Sequence, residues 1–302
     1  MNKLLIILFV SVAVPGFAQR TMPLYPAQIP NAKNVSDEET RKANREVDSL
    51  AFKVSRPTIS VFLAPANNGS PGPAVIIFPG GGYGTLLIKR EGSDVARAFN
   101  KLGIHAFVVK YRLPSERTMI DQSIGPLQDA QQAIKMVREM STEWQVDPTK
   151  IGVMGFSAGG HLASTVGTHF DKMYIPNSSN TSLRPDFMLL INPVISFTDS
   201  IGHIGSRENL LGKNPSAEQI RLFSNEYQIN HSTPPAFLVH AGTDVVVQVA
   251  NSLSFYQKLR ENQVDGALHI YSKGEHGFLT YPSFEEWFGR CVHWMRQMKF
   301  AQ

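Results

Sequence analysis

The sequence predicts an α/β fold, a mostly parallel central sheet with helices on both faces. Three observations lead there. Apolar, β-branched runs of five to seven residues alternate with longer helical patterns, as strands buried on both faces and their crossover helices do. The chain has 302 residues, 42% of them hydrophobic and 18% charged, enough for one large core and unlike a disordered or fibrous chain. Cys291 is the one cysteine, so no intrachain disulfide and no Cys-x-x-Cys metal cluster can form, and stability must come from packing.

Taken in order, Lys3 followed by the apolar run Leu4–Val14 and the small residues up to Ala18 reads as a signal peptide over residues 1–18. This run of 11 residues falls short of a bilayer-spanning helix, which needs about 20 residues. Export to a periplasm or the medium is expected, with no stable membrane insertion after cleavage. Residues 19–56 are polar and carry Pro23, Pro26 and Pro30, the pattern of an arm across the surface. The catalytic domain is expected over residues 57–302. Strands are predicted at Thr58–Leu63, Ala74–Phe78, His105–Tyr111, Lys150–Phe156, Phe187–Ile191, Ala236–Ala241 and Ala267–Tyr271. Helices are predicted at Glu91–Leu102, Pro126–Thr142, Ala158–Thr168, Val249–Asn262 and Phe284–Met298. Phe170–Pro185 and Ser196–Ser232 lack a clear period and are expected as an insertion over the ligand-binding end of the sheet. The formal charge of +4 is scattered, which argues against a nucleic-acid partner.

The segment Lys150–Ser164 carries the chemistry: a strand ends in Gly155-Phe156-Ser157-Ala158-Gly159 and continues as a small-residue helix. This is a Gly-x-Ser-x-Gly elbow in its proper context. A serine on so sharp a turn sits in a strained conformation, and side chains two positions either side would collide with neighbouring strands. Ser157 is therefore the candidate nucleophile, and the Ala158 amide at the helix start faces any negative charge that develops beside it. A second segment, Ala74–Gly84, runs a buried strand into Gly80-Gly81-Gly82, where bare amides can approach a ligand. No Gly-Lys-Ser/Thr follows, so a phosphate loop is disfavoured. Gly81, Gly82 and Ala158 are the candidate oxyanion donors.

Serine needs an adjacent base oriented by a carboxylate. His276, in Lys273-Gly-Glu-His-Gly-Phe278, follows the last predicted strand and is the candidate among nine histidines. His240 falls in a buried strand and His161 beneath the elbow, while His169, His203, His231 and His293 are expected to face solvent. Asp244 follows the strand Ala236–Ala241 and completes the order Ser, Asp, His found in α/β-hydrolases. Asp199, Asp186 and Glu275 are weaker alternatives for the acid. The chemistry calls for no cofactor and no metal.

These pieces resemble α/β-hydrolase esterases of the acetylxylan-esterase-like, BD-FAE-like carbohydrate esterase family. The matching motifs are Phe78-Pro-Gly-Gly-Gly-Tyr83, Val109-Lys-Tyr-Arg-Leu113, Pro126-Leu-Gln-Asp-Ala130, Gly155-Phe-Ser-Ala-Gly-Gly-His161, Asp244–Ser252 and Gly274-Glu-His-Gly-Phe278. Pro79 stands where lipase-group esterases carry a histidine, and Gln248 where the family often has proline. The resemblance implies a secreted serine esterase acting on short acyl, chiefly acetyl, esters of xylan-type polysaccharides or oligosaccharides. Tyr83, Phe278 and Trp287 are candidates for a sugar-stacking surface, with core packing as the alternative. A prolyl-oligopeptidase-type serine peptidase and an inactive hydrolase-fold binding protein are the rival readings.

Overall fold

Eleven strands and seven α-helices are built from the patterned segments of a computed structural model that describes residues 20–43, 49–65 and 69–302. The expected signal peptide lies outside the described residues. The strands are β1 (Arg20–Pro23), β2 (Thr40–Ala43), β3 (Ser49–Phe52), β4 (Thr58–Phe62), β5 (Gly72–Phe78), β6 (Leu86–Leu87), β7 (His105–Lys110), β8 (Val146–Phe156), β9 (Met188–Ile191), β10 (Ala236–Ala241) and β11 (Gly266–Tyr271). The helices are α1 (Asp94–Asn100), α2 (Gly125–Glu139), α3 (Ala158–Thr168), α4 (Ile204–Leu211), α5 (Ala217–Leu222), α6 (Ala250–Glu261) and α7 (Phe284–Gln297).

The main sheet runs β1-β4-β7-β5-β8-β9-β10-β11, with β4 antiparallel to its neighbours and β7 through β11 parallel. At its centre, β5 sends Ala74, Ile76 and Phe78 into one core layer and Val75 and Ile77 into the other, all fully buried. A strand covered on both faces has no solvent side to mark with polar residues, hence its continuous apolar run. Helices α2, α3 and α6 cover the first face, α1 and α7 the second. From β5 the chain moves to β7 on one side, then crosses back to β8 on the other. The carboxyl ends of β5 and β8 thus flank a topological switch point, where such sheets open a ligand crevice.

Two of the matching motifs serve this frame rather than the chemistry. Arg112 and Asp129 form a buried ion pair at 2.8 Å, side chains 1% and 0% exposed. Tyr25 donates to Asp129 Oδ1 at 2.9 Å, and Arg112 donates to the Pro30 carbonyl at 2.8 Å. Neither charge is left uncompensated, and removing either partner would strand the other in the core.

Three expectations need correction. Residues 20–43 and 49–56 are woven into the domain rather than laid across it: β1 pairs with β4 over Arg20–Pro23, β3 pairs with β2 and β6, and Leu24, Ala51 and Val54 are buried. The segment lacks a long period because its elements are only four residues each, too short for alternation to stand out. The predicted helix from Glu91 begins as a π-wound turn, Lys89–Ser93, and becomes α-helical at Asp94. Of the two insertion pieces, Phe170–Pro185 is pinned along α2, through bonds from Gln128, Gln131 and Arg138, instead of capping the sheet.

Candidate active site

Ser157 sits between β8 and α3 at φ 51° and ψ −119°, a backbone conformation that costs about 1–3 kcal/mol and must be imposed by its surroundings. Two glycines allow it. A Cβ on Gly159 would stand 2.1 Å from the Phe78 carbonyl oxygen of β5, the strand collision expected. A Cβ on Gly155 would instead meet the Gly159 carbonyl oxygen at 2.0 Å, so this glycine makes room for the helix's own first turn. The Ser157 amide donates to Ile191 O of β9 and its carbonyl accepts from Val194, fastening the elbow to the next strand.

His276, on the loop after β11, places Nε2 2.8 Å from Ser157 Oγ. Its Nδ1 lies 2.7 Å from Asp244 Oδ2. Asp244 follows β10, and its Oδ1 accepts from the amides of Val246 and Val247, both at 2.9 Å. His240, buried in β10, reaches Asp244 Oδ2 at 3.3 Å while bonding Ser252 and the Val247 carbonyl. Burial alone would raise the Asp244 pKa, but hydrogen bonds from His240 and His276 outweigh it and hold the carboxyl well below its usual range. Asp244 is therefore ionised at neutral pH and fixes the His276 ring with its proton on Nδ1 and Nε2 turned to the serine. The other acids stand elsewhere: Asp199 is exposed against Arg207, Asp186 bonds Arg138 and the Ile151 amide in the middle of β8, and Glu275 bonds Thr280.

The glycine loop beyond β5 faces the same serine. Gly81 has φ 131° and Gly82 φ 63°; a Cβ on Gly81 would meet the Thr85 carbonyl at 2.1 Å, whereas Gly82 needs glycine for its dihedral alone. The amides of Gly81, Gly82 and Ala158 make no bond to a loop or side-chain acceptor among the described residues. The Gly80 amide is occupied: it donates to Glu91 Oε2 at 2.8 Å. Tyr111 holds the loop from below by donating to the Pro79 carbonyl at 2.7 Å.

Sequence inspection overlooked Glu91 and its neighbour Arg90. The π-wound turn points the Glu91 carboxylate back at Gly80, and Arg90 donates to the carbonyls of Gly277 and Phe278, at 2.5 and 2.9 Å. One turn thus ties the glycine loop to the histidine loop. Nothing in the residues around Glu91 marked it, because its burial and its bond to Gly80 exist only in the fold. His161 lies fully buried beneath the site, bonded to Tyr83 and the Phe223 carbonyl and stacked on Phe197 with centroids 4.1 Å apart. Burial pushes its pKa down to about 3. His169 and His203, expected to face solvent, do not. His169 is buried against α3 and Phe223. His203 caps α4 through Ser206; burial, then the charge of nearby His276, lowers its pKa. Tyr83, Phe278 and Trp287 are only 2%, 5% and 4% exposed, so they pack the core and offer a sugar no stacking face.

A family model described as BD-FAE matches residues 61–259, most of the region that builds this site. The chain belongs to the BD-FAE family. Among relatives, an acetylxylan esterase of Xylanibacter ruminicola is 36% identical over 222 residues, 72% of this chain and 42% of the relative. An endo-1,4-beta-xylanase B of Butyrivibrio fibrisolvens is 36% identical over 209 residues, 67% of this chain and 32% of the relative. The chain thus spans less than half the length of these two curated relatives. The crystal structure of an acetyl ester-xyloside bifunctional hydrolase from Caldicellulosiruptor lactoaceticus superimposes with a TM-score of 0.78 at 35% identity, covering 94% of this chain and 97% of that one. The fold of this BD-FAE chain is accordingly the α/β-hydrolase fold.

Proposed function

We propose that this chain is an exported serine esterase that removes short acyl groups, chiefly acetyl, from xylan-type polysaccharides or oligosaccharides. The observation that carries the chemistry is the series of two short hydrogen bonds, Ser157 to His276 at 2.8 Å and His276 to Asp244 at 2.7 Å. The substrate class leans on the named activities of the BD-FAE relatives, and export on the apolar leader. Among the described residues no helix is long and apolar enough to cross a membrane.

In the proposed cycle His276 Nε2 takes the Ser157 proton as Oγ attacks the ester carbonyl. The developing oxyanion is held by the free amides of Ala158 and of Gly81 and Gly82, while Asp244 balances the imidazolium. His276 then returns its proton to the leaving alcohol. Water, deprotonated by the same ring, attacks the acyl-serine and releases the acid. The test is acetate release from acetylated xylo-oligosaccharides beside p-nitrophenyl acetate and butyrate, with Ser157→Ala as control. Release from the sugar that vanishes in the variant supports the reading. Turnover of the nitrophenyl esters alone would keep the serine chemistry and reject the substrate.

A further inference from the structure

A trans peptide holds its C=O and N–H on opposite sides, so whatever fixes a carbonyl also aims the amide that follows it. In the glycine loop each carbonyl from Pro79 to Gly82 is claimed. Tyr111 donates to Pro79 O at 2.7 Å, the Leu87 amide to Gly80 O at 3.2 Å, the Gly84 and Thr85 amides to Gly81 O at 3.0 and 3.1 Å, and Asn209 to Gly82 O at 2.8 Å. The amides of Gly81 and Gly82 therefore point away from the body of the loop. The first of these peptides, Pro79-Gly80, is gripped on both sides, its carbonyl by Tyr111 and its N–H by Glu91 Oε2 at 2.8 Å. It also rests against the elbow: a Cβ on Gly80 would stand 2.7 Å from Glu91 Oε2, 2.7 Å from the Phe156 carbonyl oxygen and 3.1 Å from Ser157 Cβ. The other carboxylate oxygen borders the residue after His276, since a Cβ on Gly277 would lie 3.6 Å from Glu91 Oε1. One buried side chain thus adjoins the glycine loop and the histidine loop.

We propose that Glu91 is a positioning residue for the reaction: by anchoring the Gly80 amide it presets the oxyanion hole, leaving the Gly81 and Gly82 amides turned to the charge that develops on the ester. The inference rests on the esterase reading and adds to it a residue outside the proposed triad and donors. Keeping an ionised group from water is costly unless hydrogen bonds offset it, and a neutral side chain would serve if the turn had only to pack. An amide bonded to an ionised oxygen is held about twice as strongly as one bonded to a neutral acceptor, which suits a peptide that must not swing when charge appears beside it. The charge reaches the other grip as well. Burial, then the charge on Glu91, pushes the Tyr111 pKa up, so its hydroxyl keeps the proton it donates to Pro79 O. The π-wound turn supplies the reach: the Ser93 amide donates to Ile88 O, five residues back, at 3.1 Å. Gly92 seats that turn on β7, where a Cβ would stand 2.9 Å from Val108 Cγ1.

The test is steady-state kinetics on p-nitrophenyl acetate, beside inhibition by a trifluoromethyl ketone, whose hemiketal with Ser157 carries an oxyanion. Glu91→Asp keeps the charge but withdraws the oxygen by one methylene. Its kcat should fall about 10²-fold, the size of a lost oxyanion donor, with KM within about twofold and the inhibition constant rising in step. Glu91→Gln keeps the reach with a weaker, neutral acceptor and should lose about fivefold in kcat with the same split. A purely structural role would lower the melting temperature and leave kcat of the folded protein alone. Parental kcat in either folded variant, a loss confined to KM, or a Gln variant worse than the Asp one overturns the assignment. Glu91→Gln is isosteric and decides alone if the Asp variant fails to fold. The parent judges the esterase reading separately: no turnover, or turnover undiminished by Ser157→Ala, sinks that reading and this inference with it. Ser157-dependent turnover that is indifferent to Glu91 sinks the inference alone.

Discussion

Ser157 and His276 meet at 2.8 Å but are held by opposite means. On the serine side the constraint is backbone packed on backbone: Gly155 against Gly159, Gly159 against β5, and an α3 in which every residue is buried. On the histidine side β11 is half-exposed, and the loop beyond it is anchored by a few polar bonds, from Arg90 to Gly277 and Phe278 and between Thr243 and Gly274. The proposed nucleophile needs a strained backbone that only dense packing can impose. The proposed base needs only the right ring orientation, which hydrogen bonds supply. Damage on the first side should therefore appear as lost stability, and on the second as lost rate.

Predictions from the two sides rank as follows. Ser157→Ala removes the reacting atom without touching the packing. Turnover of p-nitrophenyl acetate should fall about 10⁴-fold or more while the melting temperature stays put; full activity in a folded variant would end the assignment. Asp244→Asn leaves His276 without its ionised partner, and kcat should drop about 10⁴-fold with KM little changed. Gly159→Ala, in contrast, drives a Cβ into the Phe78 carbonyl, at 2.1 Å before relaxation. It should cost about 3 kcal/mol or more of stability, read by denaturant unfolding, and a variant as stable as the parent would contradict the packing account. Arg90→Ala frees the histidine loop, so kcat/KM should fall about tenfold, more than stability does.

The smallest effect is a slope. His161 has its pKa pushed from an ordinary 6.5 to about 3 in the folded chain. As pH falls below 6.5 the unfolded state gains a proton that the folded state refuses until about 3, so this contribution to stability is full above 6.5 and lost between those values. Melting temperatures measured from pH 7 to pH 4 should decline, and the decline should be shallower in His161→Phe. Equal slopes would mean that His161 is not the group that resists protonation.

Much of this was legible in the residues. The strand Ala236–Ala241 and helix Ala158–Thr168 occupy the spans their patterns predict, because each is a run of one period bounded by turn residues. The elbow was legible because its glycines answer a steric demand that lies within a few residues of chain. Glu91 was not, since its partner Gly80 is reached only through a π-wound turn. Nor was the place of His203, which depends on how α4 folds back toward His276.

By itself, the sequence determined the alternation of strand and helix, the sharp turn at Ser157 and the order in which Ser157, Asp244 and His276 follow their strands. Those are local properties, set by periodicity and by where a side chain is missing. Only the tertiary structure decided that the N-terminal segment joins the sheet, that Asp129 is an ion-pair partner of Arg112 rather than a free acid, and that Tyr83 and Trp287 are core residues. The reason is that burial and charge compensation belong to pairs of groups far apart in the chain, such as Tyr25 and Asp129, 104 residues apart, and neither residue type nor spacing encodes which pair will meet.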